Sequence, residues 1–135
     1  MVNGKIKVLI VDDSVLFREV LARGLSEDPE IKIVGKASNP FQARDMIIKY
    51  SPDCLTCDIQ MPRMNGIGFL KVAKQDPAIK RIPVIVLTTS RDERDRVESF
   101  NLGIAGYMLK PVDYLQFVEV VRAIDMYWTL SELPD

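Results

Sequence analysis

Five alternations of strand and helix, forming a parallel sheet with helices on both faces, are what this 135-residue sequence predicts. Three observations carry that α/β reading. Five short apolar runs recur along the chain. Helix-length segments that begin on capping residues separate them. Three of the runs are nearly continuous in apolar residues, as suits strands covered on both faces.

The first run, Ile6–Val11, ends at Asp12 and Asp13. Asp13 and Ser14 then open a helix running to about Glu27, with Val15, Leu16, Val20, Leu21 and Leu25 near helical spacing. The second strand, Ile31–Ala37, is followed by Asn39 and Pro40, where a proline in the first helical turn gives up no needed N–H. Cys54–Cys57 forms the third strand, which stops at Asp58, and Asn65 with Gly66 opens the third helix. Val84–Thr88 and Tyr107–Leu109 complete the strands. The last two helices begin on capping boxes, Ser90 with Glu93 and Asp113 with Gln116. One domain over residues 1–127 follows, with a short tail at 128–135.

Composition excludes several classes. With 47% apolar and 27% charged residues, the chain has the profile of a globular protein and not of a disordered one. A formal charge of −1 implies no general affinity for nucleic acid or an anionic membrane. No apolar run approaches the roughly 20 residues that span a bilayer. The apolar run at the N-terminus ends in two acids instead of a small-residue cleavage site, so a cytoplasmic location is expected. Cys54 and Cys57 are three apart, which on a strand puts them on opposite faces and rules out a disulfide between them. Zinc needs about four ligands, and the chain has no histidine and no further cysteine. Buried thiols are the expectation.

In such a sheet, ligands bind outside the carboxyl ends of the strands. Asp12 and Asp13 end the first strand, Asp58 the third and Thr88 the fourth, and Lys110 follows the fifth, so all five polar residues share one edge. Three carboxylates in one crevice repel each other unless a cation sits among them. Oxygen ligands without histidine favour a hard ion, and Mg²⁺ suits one that keeps several waters. A lysine and a hydroxyl nearby can hold the oxygens of a phosphoryl group, and an aspartate can attack phosphorus to form an acyl phosphate. Taken singly, Asp13 caps a helix, Thr88 ends a strand and Lys110 is a solvated charge. Their clustering is what points to chemistry.

The motifs "VLIVDDS" (Val8–Ser14), "DIQMPRMNG" (Asp58–Gly66), "VIVLTTS" (Val84–Ser90) and "GYMLKP" (Gly106–Pro111) resemble the receiver domain of two-component response regulators. The resemblance covers about residues 5–125. It implies the flavodoxin-like strand order 2-1-3-4-5 and a set of roles. Asp58 would be the phosphoacceptor, Asp13 a direct Mg²⁺ ligand with Asp12 acting through water, and the Gln60 carbonyl a further ligand. Thr88 and Lys110 would contact the phosphoryl oxygens, the Lys110–Pro111 bond would be cis, and Tyr107 would turn inward as Thr88 is drawn to the phosphoryl group. A sensor histidine kinase is the implied donor. Thr89 stands where the family often has a small alanine, which narrows the entrance. "PDCLTCDIQMPRMNG" is similar to receivers of chemotaxis methylesterases, and the stretch from about Ile82 is similar to stand-alone regulators paired with bacterial phytochromes; a mosaic or engineered receiver is an alternative origin.

Other classes fit less well. A phosphatase of the haloacid-dehalogenase type needs a second aspartate two residues after its nucleophile, where this chain has Gln60. No P-loop motif is present. The expectation is a signalling module, not an enzyme beyond its own dephosphorylation; the alternative is the same fold used as an unphosphorylated binding scaffold. After the last helix only "MYWTLSELPD" remains, too short for a DNA-binding helix pair, so output is expected through protein contacts. Phe117, Val120, Val121, Ile124 and Trp128 recur at helical spacing, and Met126, Tyr127 and Leu130 widen that face. This predicts a homodimer or partner interface through Phe117, Ile124, Tyr127 and Trp128, the alternative being Trp128 folded back over its own sheet.

Overall fold

The computed structural model describes residues 5–59, 66–77, 79–110 and 113–131, the side chains of residues 40, 66, 124 and 127–131 excepted. Strands β1 (Ile6–Val11), β2 (Ile31–Ala37), β3 (Cys54–Asp58), β4 (Val84–Thr88) and β5 (Gly106–Leu109) alternate with helices α1 (Val15–Ser26), α2 (Pro40–Tyr50), α3 (Gly66–Ala73), α4 (Arg91–Glu98) and α5 (Tyr114–Ser131). All strand pairs are parallel, and their order is β2-β1-β3-β4-β5, as expected.

The caps read from the sequence start the helices. Ser14, Asn39 and Ser90 accept hydrogen bonds from the backbone N–H groups of Phe17, Gln42 and Glu93. In the second half of the α4 box, Glu93 Oε1 accepts from Thr89 N–H at 3.1 Å, one residue before the cap. Asp113 Oδ1 accepts from Gln116 N–H, and α5 then continues through Ser131. The expected division at 127/128 therefore falls inside a helix and is corrected.

The pleat of the strands divides the interior in two. Ile6, Val8 and Ile10 of β1, Cys54 of β3, Ile85 and Leu87 of β4 and Met108 of β5 pack with Leu21 and Leu25 of α1 and Phe117, Val118 and Val121 of α5. Leu9, Val11, Leu55, Cys57, Val84 and Val86 face the opposite way, toward Ala43 and Ile47 of α2 and Phe69, Leu70 and Ala73 of α3. Cys54 and Cys57 accordingly lie in different cores as free thiols, and burial pushes both well above the usual thiol range. At Gly24, α1 passes so close to α5 that a Cβ would strike the Tyr114 ring, so only glycine fits this crossing without a shift.

Two expectations about helix faces need correction. On α1, Val15, Leu16 and Val20 are exposed, whereas Phe17, Leu21 and Leu25 face the sheet. The inward stripe runs through Phe17, Leu21, Ala22 and Leu25, so Val15, Leu16 and Val20 fall on the face turned to solvent. On α5, Phe117 is fully buried in the core of its own chain, as is Val121, which removes both from any interface. Ile124, Tyr127 and Trp128 lie outside the residues whose side chains are described. Among the described residues, no helix is long and apolar enough to cross a membrane.

Candidate functional site

The two-residue period of the strands decides which polar groups meet. Continuing the α1/α5-facing positions of β1 and β3 to the strand ends brings Asp12 and Asp58 to the same side of the sheet. The same step past Met108 puts Lys110 there too. On β4 the register is opposite at the end, so Thr88 continues the face of Val84 and Val86, which Tyr107 of β5 shares.

The Lys110 ammonium is hydrogen-bonded to Asp58 Oδ2 and stands 3.9 Å from Asp12 Oδ2. Both acids are almost wholly buried, at 1% exposure for Asp12 and 4% for Asp58, so neither is an ordinary surface carboxylate. The Lys110 backbone N–H donates to the Thr88 carbonyl at 2.9 Å, which ties the lysine to the end of β4. Its ammonium also lies 3.9 Å from the centroid of the Phe17 ring.

Asp12 is held by three bonds. Its N–H donates to the Ala37 carbonyl at 3.0 Å, its Oδ1 accepts from Ser14 N–H at 2.8 Å, and its carbonyl accepts from Arg18 Nη1 at 2.6 Å. Burial pushes its pKa up to about 6; the Ser14 N–H opposes that shift, the neighbouring Asp58 adds to it and Lys110 offsets part. Asp12 Oδ2 is buried without a hydrogen-bond partner.

Thr88 is fully buried, and its Oγ1 likewise has no hydrogen-bond partner. Tyr107 is half-buried beneath the Arg94 guanidinium, which lies 4.9 Å from the ring centroid and is itself paired with Glu98 at 2.8 Å. Burial raises the Tyr107 pKa, Glu98 adds to this and Arg94 opposes it.

Of the residues singled out in the sequence, Asp12, Asp58 and Lys110 are brought into contact or near-contact, and Thr88 stands beside them on the other face. Asp13 is half-buried just past Asp12. Among the described residues, no three carboxylate, histidine or cysteine side chains form a group that could hold a metal. Asp12 and Asp58 form a buried carboxylate pair with an ammonium against it, and Asp13 follows Asp12 in the chain; Lys110 supplies positive charge that two buried acids require. Gln60 and Pro111, with the expected carbonyl ligand and cis bond, lie outside the described residues. For a hard divalent cation the donors fit in type: two buried carboxylates, one with an oxygen that has no hydrogen bond and only the 3.9 Å contact to the Lys110 ammonium.

Phe17 was missed. Its signal was available, since it precedes Leu21 by one helical repeat and follows the cap Ser14 by three residues. The broader run of Val15, Leu16 and Val20 obscured it.

Comparisons with known proteins agree with this fold. The model of the response regulator receiver domain matches residues 8–122. The chain is 47% identical over 107 residues to a protein-glutamate methylesterase/protein-glutamine glutaminase of Syntrophomonas wolfei, covering 79% of this chain and 30% of that protein. To the corresponding protein of Syntrophus aciditrophicus it is 41% identical over 127 residues, covering 89% and 37%. The chain thus spans 30% to 37% of the length of these curated relatives, and its likeness to them extends well beyond the N-terminal half. Among solved structures, the signal receiver domain of a DNA-binding response regulator from Colwellia psychrerythraea 34H superimposes with a TM-score of 0.75 at 28% identity, covering 89% of this chain and 98% of that one.

Proposed function

This chain belongs to the response regulator receiver domain family, and from that premise we propose that it takes a phosphoryl group from a histidine kinase onto Asp58. One observation carries the choice of acceptor: Asp58 is a buried carboxylate at the end of the central strand, with the Lys110 ammonium already on its oxygen. In the transfer, an Asp58 oxygen attacks phosphorus, the P–N bond to the donor imidazole breaks, and the imidazole leaves with the bonding pair. Lys110 follows the charge onto the phosphoryl oxygens. Hydrolysis reverses the modification: water attacks phosphorus, the bond to Asp58 breaks, and orthophosphate departs.

Mg²⁺ would be held by Asp13 and Asp58, with Asp12 acting through water, and would supply charge neutralisation for the incoming phosphoryl group. The burial of Asp12 and Asp58, and the Asp12 oxygen that has no hydrogen bond, support this placement.

The response is a population shift. Thr88 Oγ1 has no hydrogen bond to lose, so a phosphoryl oxygen on Asp58 gives it a bond present only in the modified state. Drawing Thr88 toward Asp58 opens space on the face it shares with Tyr107, and the surface of α4, β5 and α5 changes with the ring. Output is then a change in protein contacts.

Acetyl phosphate with Mg²⁺, followed by intact mass, tests the reading. One added phosphoryl group is expected on the wild type and none on Asp58→Asn. Modification that persists in the variant removes Asp58 as acceptor. A wild type that stays unmodified, and whose spectrum is unmoved by beryllofluoride, favours the binding-scaffold reading.

A further inference from the structure

We propose that Phe17 is a positioning residue for Lys110, its ring holding the ammonium on the Asp58 carboxylate; the inference rests on Asp58 being the acceptor. Lysine is a point charge on a flexible four-carbon stem, and its charge alone fixes no direction. Two buried carboxylates compete for this ammonium, Asp58 in hydrogen-bond contact and Asp12 at 3.9 Å. The Phe17 ring closes another side, with its centroid 3.9 Å from Nζ. An ammonium over a ring face is attracted by the ring quadrupole, and the attraction grows as water is excluded. The Lys110 side chain is only 21% exposed, so little water competes.

The ring is itself held in place. Its backbone N–H donates to Ser14 Oγ at the start of α1, and Ser14 N–H donates in turn to Asp12 Oδ1. Arg18, the next residue, donates to the Asp12 carbonyl. The first turn of α1 is therefore bonded to the end of β1 around Asp12, and Phe17 rides on that turn. The ring is partly buried and packs against the core between the sheet and α1/α5, which favours its position beside Lys110. Aromatic ring, cap and carboxylate form one connected unit that aims Lys110.

The role is separable from simple packing. Phe17→Leu keeps an apolar side chain against the core but removes the ring face; Phe17→Tyr restores the face. In the unmodified protein, the Lys110 ε-methylene proton resonances are expected to be shifted upfield by the ring, to lose that shift in Phe17→Leu and to regain it in Phe17→Tyr. The maximal rate of modification by acetyl phosphate in Mg²⁺ is expected to fall about two- to five-fold in Phe17→Leu and to recover in Phe17→Tyr, in line with the size of a cation–ring contact. An unshifted methylene in the wild type overturns the proposal. So does a Phe17→Leu protein that is modified at the wild-type rate while Asp58→Asn is not modified at all. Modification that survives Asp58→Asn is a different result: it overturns the acceptor reading, and the positioning role falls with it.

Discussion

The two faces of the sheet reach the functional rim in opposite states. On the α1/α5 side, Asp58, Asp12 and Lys110 are already in mutual contact or close to it, and Phe17 covers the ammonium. On the α4 side, the Thr88 hydroxyl is buried with nothing to bond, and Tyr107 lies half-buried under a surface arginine. The charged half is paired within the protein; the hydroxyl half has no hydrogen-bond partner among the described residues. Physical chemistry favours this division. Two buried carboxylates cannot wait uncompensated, because isolated buried charge is far more costly than an unpaired hydroxyl. A threonine can wait, and a group that waits is one whose bonding differs between two states.

The strongest way to break the comparison is to unbalance the assembled half. Lys110→Met keeps most of the stem and removes the charge, leaving Asp12 and Asp58 facing each other. Modification of Asp58 by acetyl phosphate is expected to slow on the order of a hundred-fold, the usual scale for removing one preorganised electrostatic contact. Quench-flow with mass detection measures it. A rate within a few-fold of wild type would mean that the ammonium merely fills the space beside Asp58.

The assembled half was also the more legible half. Strand ends were readable because continuous apolar runs such as Val84–Leu87 stop abruptly at a polar residue, and all five strand positions were placed to within a residue. Asp58 and Lys110, far apart in sequence, could be brought to one edge by topology alone. Distances within the edge were not readable. The pleat decides that Thr88 faces away from Asp58, and that depends on which strand position is the last to point inward. Phe17 was hidden because Val15, Leu16 and Val20 suggest a wider apolar face than the helix buries. Phe117 was misread for the converse reason: α5 covers the core with residues that, in sequence alone, look like surplus apolar surface.

A smaller effect sharpens the account of Asp12. Its pKa is pushed up to about 6, above the ordinary 3.8, so the fold favours the protonated acid. That preference is fully expressed below the unfolded value and is lost as pH rises through about 6. Relative to Asp12→Asn, which does not titrate, the wild type is therefore expected to gain about 1 kcal/mol of stability between pH 7 and pH 5 without Mg²⁺. Urea unfolding at the two pH values measures the difference. Saturating Mg²⁺ should flatten it, because a cation beside the carboxylate favours the charged form. A wild type that loses stability relative to the variant on acidification would place Asp12 in a pairing tighter than the structure contains.

The smallest effect separates two partnerless hydroxyls. Thr56 Oγ1 and Thr88 Oγ1 are both buried without a hydrogen bond, the first in the middle of β3 and the second at the rim. A valine in either place removes a polar atom that has lost its water and gained nothing, so each variant is expected to be more stable than wild type by about 0.5–1 kcal/mol. Stability alone therefore treats them alike, and function should not. Thr56 is two residues back from Asp58 along the strand, so Thr56→Val should respond to beryllofluoride as the wild type does. Thr88→Val should still bind the analogue through Asp58 and Lys110, yet leave the Tyr107 ring resonances where they were. If the Tyr107 resonances move equally in both variants, the hydroxyl at the rim is only another imperfection of the core, and the two halves of the site do not communicate through it.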